Sequence, residues 1–130
     1  MLITAKYVDG LPLARMEYIL GRAGAIVPRV TLARWMIQTA EKLKPLEEAM
    51  NQVLTQYPAL GIDETPVQVL KEKDRSPSTK SYMWVRKGGP PGRPVVLYHY
   101  APSRGKEVPV DLLKDWRGYL MCDGYPGYDE

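Results

Sequence analysis

The spacing of apolar residues changes near Tyr57–Pro58, and this change limits the fold more than any other feature of the 130-residue sequence. Before this point, apolar residues recur every three or four positions, as in amphipathic helices. After it, short segments rich in β-branched and aromatic residues alternate with Gly/Pro turns, as in strands. The sequence therefore predicts an α+β chain, with a helical region over residues 1–57 and a sheet over residues 58–130.

The helical region is expected to contain two main helices joined by a Gly-containing turn. Thr31 suits the N-cap of the second helix, and Pro45 should break or kink it, or open a further helix. This order fits a DNA-binding helix-turn-helix loosely, with Arg29 and Arg34 as candidate DNA contacts. The alternative is a helical appendage that packs on the sheet or on another subunit. The apolar stripe that contains Trp35 favours packing.

The second region is expected to contain four strands and one helix. The strands are predicted at residues 60–70, 81–86, 95–100 and 119–122, and Pro109 suits the first turn of a helix before the last strand. Three strands that can pair as a meander, then a crossover helix and a strand, predict a mixed β-β-β-α-β sheet with one parallel pair. The last strand is expected beside the first.

Two aspartates occupy strand positions where a carboxylate needs an explanation. Asp63 lies inside an apolar strand, and Asp123 closes another strand just before Gly124. Neighbouring carboxylates repel, but a divalent cation such as Mg²⁺ or Mn²⁺ removes the penalty because it prefers hard oxygen ligands. Two such ions, about 3.5–4 Å apart, can activate a water or a 3′ hydroxyl at a phosphodiester. An edge residue, an ion-pair partner or a turn former is the alternative for each aspartate.

Other charged residues have weaker interpretations. Glu64 follows Asp63 and should point to the opposite face, which favours contact with solvent or an ion pair. The net charge of +3 and the pI of about 9.0 permit nucleic-acid binding without requiring it. Five cations of the second region could contact DNA phosphates, although solvated loop charge explains them equally well. They are Arg86, Lys87, Arg93, Arg104 and Lys106.

The sequence contains no run of 18 apolar residues, and its first residues do not resemble a signal peptide. A cytoplasmic location is therefore expected, with no membrane partner. The single cysteine, Cys122, cannot form an intramolecular disulfide and is expected to be a buried apolar residue.

Several blocks of the sequence resemble, in order, those of the insertion-sequence-66 transposase family. The blocks are Leu2–Tyr7, Thr31–Trp35, Asp63–Leu70, Lys80–Val85, Gly88–Pro91, Pro102–Arg104 and Gly118–Tyr125. The resemblance covers essentially the whole chain, and an ordered series of blocks is far more specific than one motif.

This resemblance implies an RNase H-like core that cleaves and transfers DNA strands with a divalent metal, Mg²⁺ or Mn²⁺. Asp63 matches the first catalytic carboxylate of the family and Asp123 the second, both as metal ligands. The third, a glutamate, is expected well beyond Asp123, whereas the sequence ends at Glu130. We therefore expect an incomplete RNase H-like domain that has little or no activity alone.

The resemblance also implies partners. Transposon-end DNA is the expected ligand, and a second copy of the chain or a full-length transposase is the expected protein partner, in the bacterial cytoplasm near the nucleoid. An incomplete sheet predicts an exposed edge or an exposed apolar face. Two alternatives stay open: a non-catalytic fragment for DNA binding or assembly, and a decayed gene piece with no selected function.

Overall fold

The computed structural model describes residues 2–72, 74–124 and 128. Its elements are α1 (Leu2–Tyr7), α2 (Leu13–Arg22), α3 (Arg29–Leu54), β1 (Ala59–Gln68), β2 (Lys80–Gly88), β3 (Val95–Ala101), α4 (Glu107–Leu113) and β4 (Tyr119–Met121). Helices come first and a four-stranded mixed sheet follows, which confirms the α+β class. Contacts divide the chain into two compact units, Met1–Leu46 and Glu47–Glu130.

The start of α3 is capped by a side chain from α2. The backbone N–H of Arg29 donates to Oε1 of Glu17 at 2.9 Å. A carboxylate thereby accepts one of the amide hydrogens that have no partner within the first turn of a helix. The predicted N-cap at Thr31 is wrong, because α3 begins at Arg29 and its capping acceptor comes from α2.

Helix α3 runs through Pro45 without ending there. The prediction of a helix end or a new helix start at this residue is wrong. A proline removes one backbone hydrogen bond from a helix, and the turns on both sides remain helical over the 26 residues of α3. The helix ends at Leu54 and the first strand begins at Ala59. The predicted domain boundary between residues 57 and 58 stays a prediction.

The strand order of the sheet is β3-β2-β1-β4. Strand β2 pairs antiparallel with both β1 and β3, whereas β4 pairs parallel with β1. Antiparallel neighbours need only a turn, but a parallel neighbour needs a crossover connection, and α4 lies in that connection. The predicted meander, crossover helix and parallel pair are confirmed, with the last strand beside the first.

One face of the sheet is buried against α4 and the end of α3. Alternate residues of β1 share this face, and Leu60, Ile62 and Glu64 are buried there. Leu113 of α4 packs against both apolar clusters of the unit. The buried members of these clusters are Leu54, Leu60 and Leu97 in the first, and Ile62, Trp84 and Ala101 in the second.

The opposite face is exposed and partly apolar. Asp63 lies opposite Val85, which lies opposite Tyr98, so the three side chains share this face. Tyr98 is 66% exposed, and Tyr119 and Met121 of the edge strand β4 are 81% and 71% exposed. The predicted exposed edge and apolar face are confirmed for the described residues.

Candidate functional site

Asp63 lies in the interior of β1, on the exposed face of the sheet. Its Oδ1 accepts a hydrogen bond of 2.8 Å from the backbone N–H of Glu64. The strand thus orients this carboxylate through the amide of the next residue. The side chain stays open to solvent, so it keeps lone pairs that could bind a ligand.

Asp123 lies just beyond β4, the parallel neighbour of β1. The register pairs Leu60 with Leu120 and Gly61 with Met121. Asp63 and Asp123 each follow a residue of the last pair by two positions. The fold therefore brings both predicted site residues to the same part of the sheet, with Asp63 on β1 and Asp123 two positions beyond the end of the adjacent strand β4.

Tyr128 links the surroundings of the two aspartates. Its hydroxyl donates to Oε2 of Glu64 at 2.5 Å. Burial raises the pKa of the Tyr128 phenol, the hydrogen bond to Glu64 raises it further, and the negative charges of Asp123 and Asp63 add to the shift.

Glu64 points to the buried face, opposite to Asp63. Its side chain has 0% exposure and forms an ion pair with Arg104. The Nε of Arg104 also donates to Oε1 of Glu64 at 2.5 Å. The ion-pair interpretation is confirmed, and contact with solvent, the other expectation for Glu64, is wrong. Both oxygens of the carboxylate have a donor, as a buried carboxylate requires.

The candidate DNA-binding cations Arg29, Arg34, Arg86, Lys87 and Arg104 have different surroundings. Arg29 and Arg34 are exposed on α3 in the first unit. Lys87 is exposed and, as the partner of Gly61, lies on the face of the sheet that carries Asp63. Arg104 is held by Glu64.

Arg86 is half-buried, and its Nη1 donates to the carbonyl of Leu112 at 2.8 Å. Burial lowers the pKa of its guanidinium, although an arginine stays protonated at neutral pH. Of these cations, Lys87 is therefore the one best placed to meet a ligand of the Asp63 face.

The two aspartates do not form a complete metal cage by themselves. Within residues 2–72, 74–124 and 128, no group of three or more His, Cys, Asp or Glu side chains could hold a metal ion. Two carboxylates nevertheless supply the hard oxygen ligands that Mg²⁺ and Mn²⁺ prefer, and Mg²⁺ usually retains several waters. A metal-binding role for the pair stays a prediction.

Cys122 is exposed, so the prediction of a buried cysteine is wrong. Strand β4 ends at Met121, so Cys122 lies outside the paired part of the sheet.

Sequence reasoning missed Tyr128 and the partner of Glu64. Arg104 and Tyr128 are 40 and 64 positions away from Glu64, and no local spacing predicts such contacts. The signal that was available is chemical: a glutamate on the apolar side of a strand must find a donor.

In the described part of the chain, no helix is both long and apolar enough to cross a membrane.

Comparison with known proteins gives the family. The model of the transposase IS66 family matches residues 1–130. Two curated relatives are described as uncharacterized proteins y4qI and y4jD of Sinorhizobium fredii. The first is 31% identical over 95% of this chain and 24% of its own length, and the second is 28% identical over 98% of this chain and 26% of its own length. No solved structure matches the chain.

The chain therefore spans about a quarter of the length of these curated relatives. For this reason, the activity, substrates and partners of a whole protein of this kind are proposals for this chain.

Proposed function

The chain belongs to the transposase IS66 family, and on that premise we propose that Asp63 and Asp123 are two metal-binding carboxylates of a site that cleaves and transfers DNA strands. The observation that carries the proposal is the parallel pairing of β1 with β4: Asp63 on β1 and Asp123, just beyond the end of β4, each lie two positions after the last residue pair of this register. The ligand is transposon-end DNA.

The topology supports this function. An antiparallel meander followed by a crossover helix and a parallel strand is the β-β-β-α-β arrangement expected of the first part of an RNase H-like core. In such a core, the two aspartates correspond to the first two acidic residues of a DDE site. The exposure of Asp63 on an open face of the sheet leaves room for a cation and a phosphodiester.

Each residue of the proposed site would have a separate role. Asp63 and Asp123 would hold the cation, which when bound lowers the pKa of an attacking water or hydroxyl and neutralises developing charge. Lys87, on the same face as Asp63, would contact a DNA phosphate and orient the backbone. The amide of Glu64 would keep Asp63 in one orientation through its 2.8 Å hydrogen bond.

Titration of the chain with Mn²⁺ tests the metal-binding role. We expect selective paramagnetic broadening of backbone amide signals near Asp63 and Asp123 in NMR spectra. Asp63→Asn and Asp123→Asn should each weaken the apparent affinity by at least about tenfold, because each removes an anionic oxygen ligand. The matched control is Asp111→Asn, whose side chain is 70% exposed on α4 and pairs with Lys114. Equal affinities in all four proteins would contradict the assignment.

A second function, non-catalytic DNA binding, is favoured by the exposure of Arg29 and Arg34 near the start of α3. We expect Arg29→Ala/Arg34→Ala to weaken binding to transposon-end DNA and to reduce the slope of log affinity against log salt by about two. Fluorescence anisotropy at several salt concentrations measures both. Binding should survive Asp63→Ala/Asp123→Ala. Lys42→Ala, on an exposed position later in α3, controls for simple loss of charge; an equal effect per charge there would argue against a specific role for the arginines.

A further inference from the structure

A partly buried charged cluster, centred on the buried carboxylate of Glu64, lies behind Asp63 on the other face of β1. The carboxylate of Glu64 divides its two oxygens between two donors: Oε1 accepts from Arg104 and Oε2 accepts from the hydroxyl of Tyr128. The three residues come from β1, from the connection between β3 and α4, and from the segment after β4. One side chain therefore joins three separate parts of the second unit.

We propose that Glu64, Arg104 and Tyr128 form a positioning cluster that holds Asp63 and the segment carrying Asp123 in the relative geometry a divalent cation requires. This inference rests on the proposed function of the two aspartates. The members of the cluster act through backbone and segment position, since the side chain of Glu64 is buried on the face opposite to Asp63.

The connection to Asp63 is direct. The backbone N–H of Glu64 donates to Oδ1 of Asp63. Because the side chain of Glu64 is anchored at both oxygens, the peptide group that orients Asp63 is anchored as well. Charge-assisted hydrogen bonds are stronger and more directional than neutral ones. A looser Glu64 would therefore give Asp63 a wider range of orientations.

The connection to Asp123 runs through Tyr128, five positions later in the chain. The ring of Tyr128 packs edge-on against Trp84, with centroids 6.2 Å apart, and its hydroxyl binds Glu64 at 2.5 Å. Five residues span at most about 18 Å, so an anchored Tyr128 limits how far the segment after β4 can move from β1. Strand β4 pairs with β1 over only three residues. The contact of Tyr128 with Glu64 therefore gives this segment a second attachment to β1.

Stability alone does not account for the cluster. The carboxylate of Glu64 is fully buried, whereas the side chain of Arg104 is 41% exposed. Burial of a charged group costs hydration, and this cost offsets much of the gain from its ion pair. Glu64 lies among apolar neighbours, and Trp84 is its partner across the β1–β2 ladder. A requirement for defined geometry next to Asp63 explains a charge at this position.

The decisive variant is Tyr128→Phe, which removes the hydroxyl and keeps the ring that packs on Trp84. We expect hydrogen exchange at the β4 amides to accelerate by about tenfold and the Mn²⁺ affinity to fall by about tenfold, the effect of one lost hydrogen bond to a charged group. Exchange at the β2–β3 amides should stay unchanged. Glu64→Gln should act in the same direction. Tyr98→Phe, exposed on the opposite face, is the matched control and should change neither measurement.

Three outcomes separate the hypotheses. Unchanged β4 exchange and unchanged Mn²⁺ affinity in Tyr128→Phe and Glu64→Gln overturn the positioning cluster. An equal loss of protection across β2–β3 and β4 also overturns it, because that is the signature of a general structural role. If the unmodified chain binds no Mn²⁺ while β4 exchange still responds selectively, the proposed metal role of the aspartates fails, and the attachment of the β4 segment by the cluster is supported.

Discussion

Trp84→Ala is expected to lower the free energy of unfolding of the second unit by about 3–5 kcal/mol, as large-to-small changes of a buried tryptophan do. Trp84 has no exposed surface. It packs in one cluster with Ile62 and Ala101, and its ring contacts Tyr128. Alanine would leave a cavity next to the face of β1 that carries Glu64. Urea denaturation followed by circular dichroism measures the loss.

The control for this substitution is Tyr98→Ala on the neighbouring strand β3. Tyr98 is an aromatic strand residue that is 66% exposed, so its removal should change the free energy of unfolding by only about 0.5 kcal/mol. Similar losses for the two variants would contradict the assignment of the buried and exposed faces. A large loss for Trp84→Ala together with weaker Mn²⁺ binding would also connect the core to the candidate site.

Leu54→Ala is expected to destabilise the sheet by about 2–5 kcal/mol, although Leu54 lies at the end of a helix. Its side chain has 0% exposure and forms a buried cluster with Leu60 and Leu97. The end of α3 is thus part of the core of the sheet. Hydrogen exchange at the β1–β2 amides should accelerate by the factor that corresponds to this free energy, and NMR measures it residue by residue.

Leu46→Ala is the matched control, because it makes the same chemical change on the same helix at a side chain that is 56% exposed. We expect little change in exchange at β1–β2. This pair of variants also tests where the helical region ends. If Leu54→Ala left the protection of β1–β2 intact, a boundary near residue 57 would be preferable to the division at Leu46 and Glu47.

Much of the sheet could be predicted because its signals are local. The buried alternation of Leu60 and Ile62 around Gly61 reports the two faces of a strand. Pro109 and the turn residues delimit α4 and β4. The neighbouring position of β4 agrees with the rule that a crossover helix returns a strand parallel to an earlier one.

The predictions at Thr31 and Pro45 are wrong because local sequence preferences do not decide the structure at these positions. Thr31 suits an N-cap, but Glu17 caps α3 from a different helix. Pro45 is a helix breaker by propensity, and the surrounding turns override it. The residues of helix α1 resemble a block of the family sequence, but their own pattern does not predict a helix.

For the candidate site, the neighbouring positions of Asp63 and Asp123 could be predicted from the sequence, but the contacts of Glu64 beside them could not. Asp63 and Asp123 each stand out against an apolar strand. Arg104 and Tyr128 do not, because their roles depend on contacts with Glu64 across 40 and 64 positions. Such contacts become visible only when the fold is known.

The parallel pairing of β1 with β4 also has a consequence for the order of folding. Asp63 and Asp123 are 60 positions apart, and closing so long a loop costs more entropy than forming the hairpins of the β1-β2-β3 meander. In a partially folded chain in which only the meander has formed, Asp63 is therefore in place on the sheet and Asp123 is not yet beside it. A cation bound by both would recognise only the completed sheet, and by mass action it would favour that state over every intermediate that lacks β4.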